Sequence, residues 1–227
     1  MPVYQLNKKL IFPPPGHAEK DGLLAIGGDL SPERLLLAYS NGIFPWYSEG
    51  DPILWWSPSP RLVVFPPELR IPKRLARLLR QEKFAVTMDS SFLQVITACA
   101  TADGRGEKGT WITADMVAAY CRLHEMGFAH SVECWQEGKL AAGLYGLALG
   151  GVFFGESMFS RQANGSKVAL VKLIQKLQGW KYDMVDCQMK TVHLLQFGAR
   201  EIPGEEFRAL LARSMERPTQ KGKWEIT

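Results

Sequence analysis

The stretch 130–158 constrains the fold more than any other part of the chain. It holds three apolar runs, 130–136, 139–149 and 152–158, separated by Glu137-Gly138 and Gly150-Gly151. Two-residue turn signals between such runs predict a β-meander, three antiparallel strands in sequence order. Within it lies the longest uncharged stretch, 140–155, which has 16 residues and five glycines. A membrane span needs about 20 consecutive apolar residues. Gly-punctuated strands are therefore the reading, and no membrane association is expected.

The flanks predict helices. After the meander, Ser166 opens a helix, 184–188 reads as a buried strand, a short helix ends at Gly198, an edge strand covers 200–202 and a last helix runs over 205–215. Before it come a strand at 62–65, a helix at 71–83, a strand at 84–88, a helix at 91–100 and a polar loop at 101–110. Thr113 then caps a helix with the apolar stripe Met116, Val117, Tyr120 and Leu123, ended by Gly127. Helix, antiparallel meander, helix, strand, helix is an α+β order.

Residues 1–60 differ in composition, being rich in proline, glycine and tryptophan. Three prolines keep 12–16 out of a helix. Ser31 caps a short helix with Pro32 at its first position, and Asn41-Gly42 stops it. A boundary near Pro60 predicts a small N-terminal α/β domain, 1–60, and a larger domain, 61–227.

The net charge of +4 permits a polyanionic partner without demanding one. Cys99, Cys121, Cys134 and Cys187 form no CxxC and no Cys/His cluster of zinc spacing, so no metal is expected. They read as reduced core residues of a cytoplasmic protein. The start, MPVYQLNKKL, has no long apolar segment of the signal-peptide kind.

Several chemically unusual stretches occur in order: GGDLSPERLL (27–36), GIFPWYS (42–48), ILWWSPSPR (53–61), TWIT (110–113), GLYG (143–146), GVFFGESMFSR (151–161), NGSK (164–167) and DCQ (186–188). On these the chain resembles the leucyl/phenylalanyl-tRNA–protein transferase family from Phe12 to about Ile202. The resemblance implies a catalytic domain similar to the acetyl-CoA-dependent N-acyltransferase (GNAT) fold, a mixed, mostly antiparallel sheet flanked by helices. It implies transfer of Leu or Phe, and less well Met, from aminoacyl-tRNA to proteins that begin with Arg or Lys, which marks them for degradation. The tRNA ester is already activated, so no cofactor is expected.

Asp186 and Gln188 are i and i+2 on the expected strand, so their side chains share a face and Cys187 points away. On their own they read as a helix cap and a surface residue. The resemblance places the family's catalytic pair on them, with Gln188, polarised by Asp186, holding the attacking amine and helping to take its proton. Glu156 in an apolar strand is costly to bury alone. Two partners are open, an internal cation such as Arg161 and the Arg or Lys of an acceptor; the resemblance favours the acceptor and a catalytic role.

Leu144, Phe153, Leu170, Leu173 and Leu177 read as ordinary core by spacing. Through the resemblance they form a C-shaped pocket for the donor side chain. Such a pocket separates sizes by only about 1–3 kcal/mol per methylene, consistent with Leu, Phe and Met together. Trp46 and Trp111 are either inter-domain filler or platforms for the terminal adenosine, each stacked base being worth about 1–3 kcal/mol. Trp55 and Trp56 read as core at the junction. Lys73, Arg74, Arg77 and Arg80 form a basic helix face, either plain solvated surface or, as the resemblance implies, a track for tRNA phosphates.

Two other functions fit parts of the pattern. An acetyl-CoA N-acetyltransferase needs a small residue where the loop 162–167 ends in Lys167, whose side chain crowds a phosphate nest. A non-catalytic binder of N-terminal Arg or Lys needs Glu156 but not Gln188.

Overall fold

Prolines and glycines keep the first strands short. In the computed structural model, which describes residues 3–102 and 111–226, β1 (Tyr4–Leu6), β2 (Leu23–Gly27), β3 (Phe44–Pro45) and β4 (Leu54–Trp56) form one sheet in the order β1-β2-β4-β3. β1 and β2 are parallel and the other pairs antiparallel. Between β2 and β3 runs α1 (Pro32–Ser40), where Ser31 Oγ accepts the Arg34 N–H and Pro32 occupies the first turn, as expected.

The second sheet has seven strands: β5 (Arg61–Val64), β6 (Ala85–Met88), β7 (Ala129–Gln136), β8 (Lys139–Leu149), β9 (Val152–Ser160), β10 (Met184–Asp186) and β11 (Arg200–Ile202), ordered β11-β5-β10-β9-β8-β7-β6. β9 and β10 pair in parallel and every other neighbouring pair is antiparallel. This is the expected α+β arrangement, and β7-β8-β9 is the expected meander. The helices are α2 (Lys73–Arg80), α3 (Phe92–Ala100), α4 (Ala114–Glu125), α5 (Gly165–Gly179), α6 (Val192–Leu195) and α7 (Gly204–Met215). α1, α3 and α4 pack on one face of the sheet and α5, backed by α2, on the other.

The first sheet draws on residues 4–56 and the second on 61–202, yet one core joins Leu24, Tyr39 and Trp55 to Val95, Tyr120 and Phe154. α2 is shorter than the expected 71–83 at both ends: Pro72 precedes its first turn, and Glu82 turns to φ +48 just past its last. Of the expected loop 101–110, residues 103–110 lie outside the described residues.

β9 breaks its regular pairing at one point. Tyr145 pairs with Ser157 and Gly146 with Gly155, leaving Glu156 unopposed in a β-bulge. The bulge shifts the alternation of β9: Phe153 and Met158 join the core beneath α5, whereas Phe154 and Phe159 join the opposite one. Gly146 permits it, since a Cβ there would stand 2.2 Å from the Phe154 carbonyl oxygen.

Past α7 the chain returns to the sheet. Trp224 is 2% exposed and stacks on His130 with ring centroids 3.7 Å apart. The Trp224 main-chain N–H donates to Asp89 Oδ2 at 2.7 Å, while Asp89 also accepts the Ser131 N–H and pairs with His130 Nδ1 at 2.8 Å. Trp224→Ala is expected to lower the unfolding free energy by about 3–5 kcal/mol in a urea titration. Burial holds His130 below the usual histidine range, against the pull of Asp89. As pH falls through about 6.5 the unfolded chain therefore takes up this proton before the folded one, and stability drops. The urea midpoint is expected to fall on acidification, and to fall less in His130→Gln.

Candidate active site

β10 ends at Asp186, opposite Phe154, whereas β9 runs on to Ser160. Beyond that point the edge of β9 is uncovered, and 155–158 form one wall of a cavity of about 420 Å³. Leu144 and Phe153 from the sheet, with Leu170 and Leu173 from α5, give it an apolar end. Cys187, Gln188, Met189, Thr191, His193 and Leu194 form the segment that crosses it, and Phe44, Pro45, Trp46 and Trp111 complete the lining.

Four of the five expected pocket residues thus come together. Leu177 does not: it lies one turn further along α5, fully buried in the core, and the cavity ends before it. Trp46 and Trp111 are both partly exposed on the wall. The Trp46 carbonyl accepts the Trp56 indole N–H at 2.7 Å, and the two indoles meet edge to face, which holds the Trp46 ring in place. Trp55 is fully buried at the junction, as expected.

The Glu156 carboxylate reaches the helices on the side of the sheet where Phe154 packs against Tyr39. The Tyr39 hydroxyl of α1 lies 2.6 Å from Oε1, the Tyr120 hydroxyl of α4 lies 3.1 Å from Oε2, and the two hydroxyls also adjoin each other, so their two protons are shared among three contacts. Arg161 is not its partner; that guanidinium lies over the Phe159 ring and donates to the Leu140 carbonyl. Burial pushes the Glu156 carboxyl up to about 7, while the tyrosine hydrogen bonds pull it down. Burial and the neighbouring Glu156 raise both tyrosines well above their ordinary value, so they remain donors.

Asp186 and Gln188 are not the same-face pair expected from a strand over 184–188. The strand stops at Asp186, and Gln188 takes φ +55 inside a three-residue turn closed by the Met189 N–H on the Cys187 carbonyl. Left-handed φ is strained for a residue with a Cβ. Asp186 is 0% exposed and forms no part of the wall. Its two oxygens take Arg61 Nε at 2.8 Å and the Arg61 terminal nitrogen at 2.7 Å, and Oδ1 also accepts the Gln188 main-chain N–H at 3.0 Å. Asp186 therefore holds the Gln188 backbone, not its side chain, and only Gln188 of the pair reaches the cavity. Burial and Asp186 drive the Cys187 thiol far above its usual range, which removes it as a nucleophile.

The basic face of α2 stands apart from this cavity. Lys73, Arg74, Arg77 and Arg80 are all exposed, with no ion-pair partner among the described residues. Sequence reasoning missed Arg61, His193 and the role of both tyrosines. Tyr120 reads as part of an apolar stripe, and nothing in the local sequence marks Tyr39 or Arg61 as a partner of a distant carboxylate. His193 lines the cavity with its Nε2 buried and without a hydrogen-bond partner. Among the described residues, no group of three or more His, Cys, Asp or Glu is placed to hold a metal, and no helix is long and apolar enough to cross a membrane.

Known proteins share this sequence pattern. A family model described as leucyl/phenylalanyl-tRNA protein transferase matches residues 63–212, and that family's N-terminal domain matches 28–59. A leucyl/phenylalanyl-tRNA–protein transferase of Desulforapulum autotrophicum is 52% identical over 227 residues, spanning 100% of this chain and 99% of that protein. The protein of the same name from Syntrophobacter fumaroxidans is 55% identical over 225 residues, spanning 99% and 96%. Among solved structures, a GCN5-related N-acetyltransferase from Kribbella flavida covers 75% of this chain and 60% of its own at 13% identity and a TM-score of 0.40, a likeness too slight to argue from. With both family segments matched in order and relatives aligned from end to end, the chain belongs to the leucyl/phenylalanyl-tRNA–protein transferase family of enzymes.

Proposed function

We propose that this enzyme moves leucine or phenylalanine, and methionine less well, from aminoacyl-tRNA to the α-amino group of proteins that begin with Arg or Lys, marking them for degradation. The observation that carries this reading is one cavity lined both by the apolar Leu144, Phe153, Leu170 and Leu173 and by Glu156 and Gln188. Leu144, Phe153, Leu170 and Leu173 take the donor side chain. Trp46 and Trp111 stack the terminal adenosine, and the basic face of α2 follows the phosphates outside. Glu156 receives the cationic side chain of the acceptor's first residue.

The acceptor amine attacks the ester carbonyl, a C–N bond forms and the bond to the ribose oxygen breaks. The proton shed by nitrogen ends on the departing hydroxyl, so the reaction balances without ATP. The Gln188 side-chain carbonyl accepts a hydrogen bond from the amine and orients its lone pair. Asp186 is a positioning residue, since both its oxygens are engaged by Arg61. An acetyl-CoA reading fits less well: the Ser166 N–H at the start of α5 is taken by Ser160 Oγ at 3.2 Å, and Lys167 crowds the same turn.

Labelled Leu-tRNA and a peptide beginning with Arg, mixed with the protein alone, are expected to give labelled peptide, and none when the peptide N-terminus is acetylated. Gln188→Ala is expected to lower kcat by about a hundredfold or more while peptide binding persists; unchanged turnover would remove Gln188 from the mechanism. Glu156 binds its cation as an anion, so activity rises with pH through about 7. Tyr39→Phe deletes a hydrogen bond that lowers this pKa and is expected to move the acidic limb of the kcat/KM profile to higher pH. Neutralising Arg77 and Arg80 is expected to weaken tRNA binding and to reduce the slope of log affinity against log salt by about 2.

A further inference from the structure

Next to Gln188 the surface turns apolar. Met189 is 44% exposed, Val192 86% and Leu195 37%, three large hydrophobic side chains within seven residues. Isolated exposed hydrophobics are ordinary, but a cluster continuous with a functional cavity is not. Val192 and Leu195 lie one turn apart on α6, and Met189 belongs both to this cluster and to the cavity wall.

The main chain here is also unspent. The Met189 carbonyl, both groups of Lys190 and the Thr191 N–H have no hydrogen-bond partner among the described residues. The Lys190 ammonium is paired with Glu201 and so contributes little free positive charge. An RNA strand calls for cations and stacking rings. Apolar side chains beside unpaired amide and carbonyl groups instead suit an extended polypeptide, bonded through its backbone and read only loosely through its side chains.

We propose that residues 189–195 seat the segment of the acceptor polypeptide that follows its first residue. This seat rests on the transfer reading. With the first side chain at Glu156 and the amine at Gln188, the chain leaves past Met189, the next residue along the wall. Backbone bonding at Lys190 makes the seat tolerant of sequence. Met189, Val192 and Leu195 favour apolar over acidic side chains in the acceptor's second to fourth positions.

The test compares the unaltered protein with Val192→Asp and with the Val192→Asp/Leu195→Asp double variant. Three acceptors are used: a peptide with Leu after its leading Arg, the same peptide with Asp there, and arginine amide. Turnover is followed with Leu-tRNA, and peptide binding by fluorescence anisotropy without tRNA. On the unaltered protein the Leu peptide is expected to show a KM about tenfold below the Asp peptide. Both variants are expected to lose that preference, with kcat and the constants for arginine amide and Leu-tRNA unchanged. A peptide KM that ignores the substitutions overturns the proposal and leaves the transfer reading standing. A raised KM for Leu-tRNA with peptide KM unchanged also overturns it, giving the rim to RNA. If nothing is leucylated yet the Leu peptide binds and the variants release it, the transfer reading fails and the seat stands.

Discussion

Arg61 and Asp186 meet where β5 and β10 run antiparallel, joined by two hydrogen bonds of 2.8 and 2.7 Å and closed off from solvent. The guanidinium lies over the rings of Phe44 and Phe207, 4.9 and 4.6 Å from their centroids. One side chain thus ties the first sheet, the last helix and the end of β10 together. Burying two charges costs several kcal/mol for each ion, and only good geometry offsets it. The bidentate fork and two aromatic faces supply that geometry. Losing either partner leaves a bare buried charge, a cost of about 3–5 kcal/mol. The same carboxylate accepts the Gln188 N–H. The ion pair that closes the sheet therefore also holds the strained turn that brings Gln188 to the cavity.

The site exists because the sheet is interrupted twice within a short distance. β10 stops at Asp186 and exposes the edge of β9. On that edge Glu156 is the unopposed residue of the bulge, and it lines the cavity while Tyr39 and Tyr120, on the Phe154 side of the sheet, hold its carboxylate.

Regular periodicity was legible in the sequence, and departures from it were not. The meander, the caps at Ser31 and Thr113 and the α+β order follow from spacing and turn chemistry, whereas the four pocket residues are read as a pocket only through the family resemblance, spacing alone giving core. The end of β10 was missed because a side chain folding back onto the backbone two residues on leaves no trace in alternation. Leu173 and Leu177 are equivalent in helical spacing, and only the depth of the cavity separates them. Arg161, near in sequence, is only one of the two partners the sequence leaves open for Glu156. The true partners are 117 and 36 residues away. Trp224 sits in a polar tail with no pattern to mark it, yet it is buried on His130.

Four buried or half-buried carboxylates show how this chain separates enclosed acids from one in the cavity wall. Asp89 is saturated by the Ser131 and Trp224 N–H groups and by His130. Glu133 is held by the hydroxyls of Thr87 and Ser131. Asp186 is locked to Arg61. Each of these is enclosed by its own donors. Glu156 alone of the four lines the cavity, and its donors are neutral tyrosines that a buried carboxyl can keep in either protonation state. A fixed cation there would hold the carboxylate permanently charged and already paired. Two hydroxyls orient it without neutralising its charge, as the proposed role of Glu156 toward an acceptor cation requires.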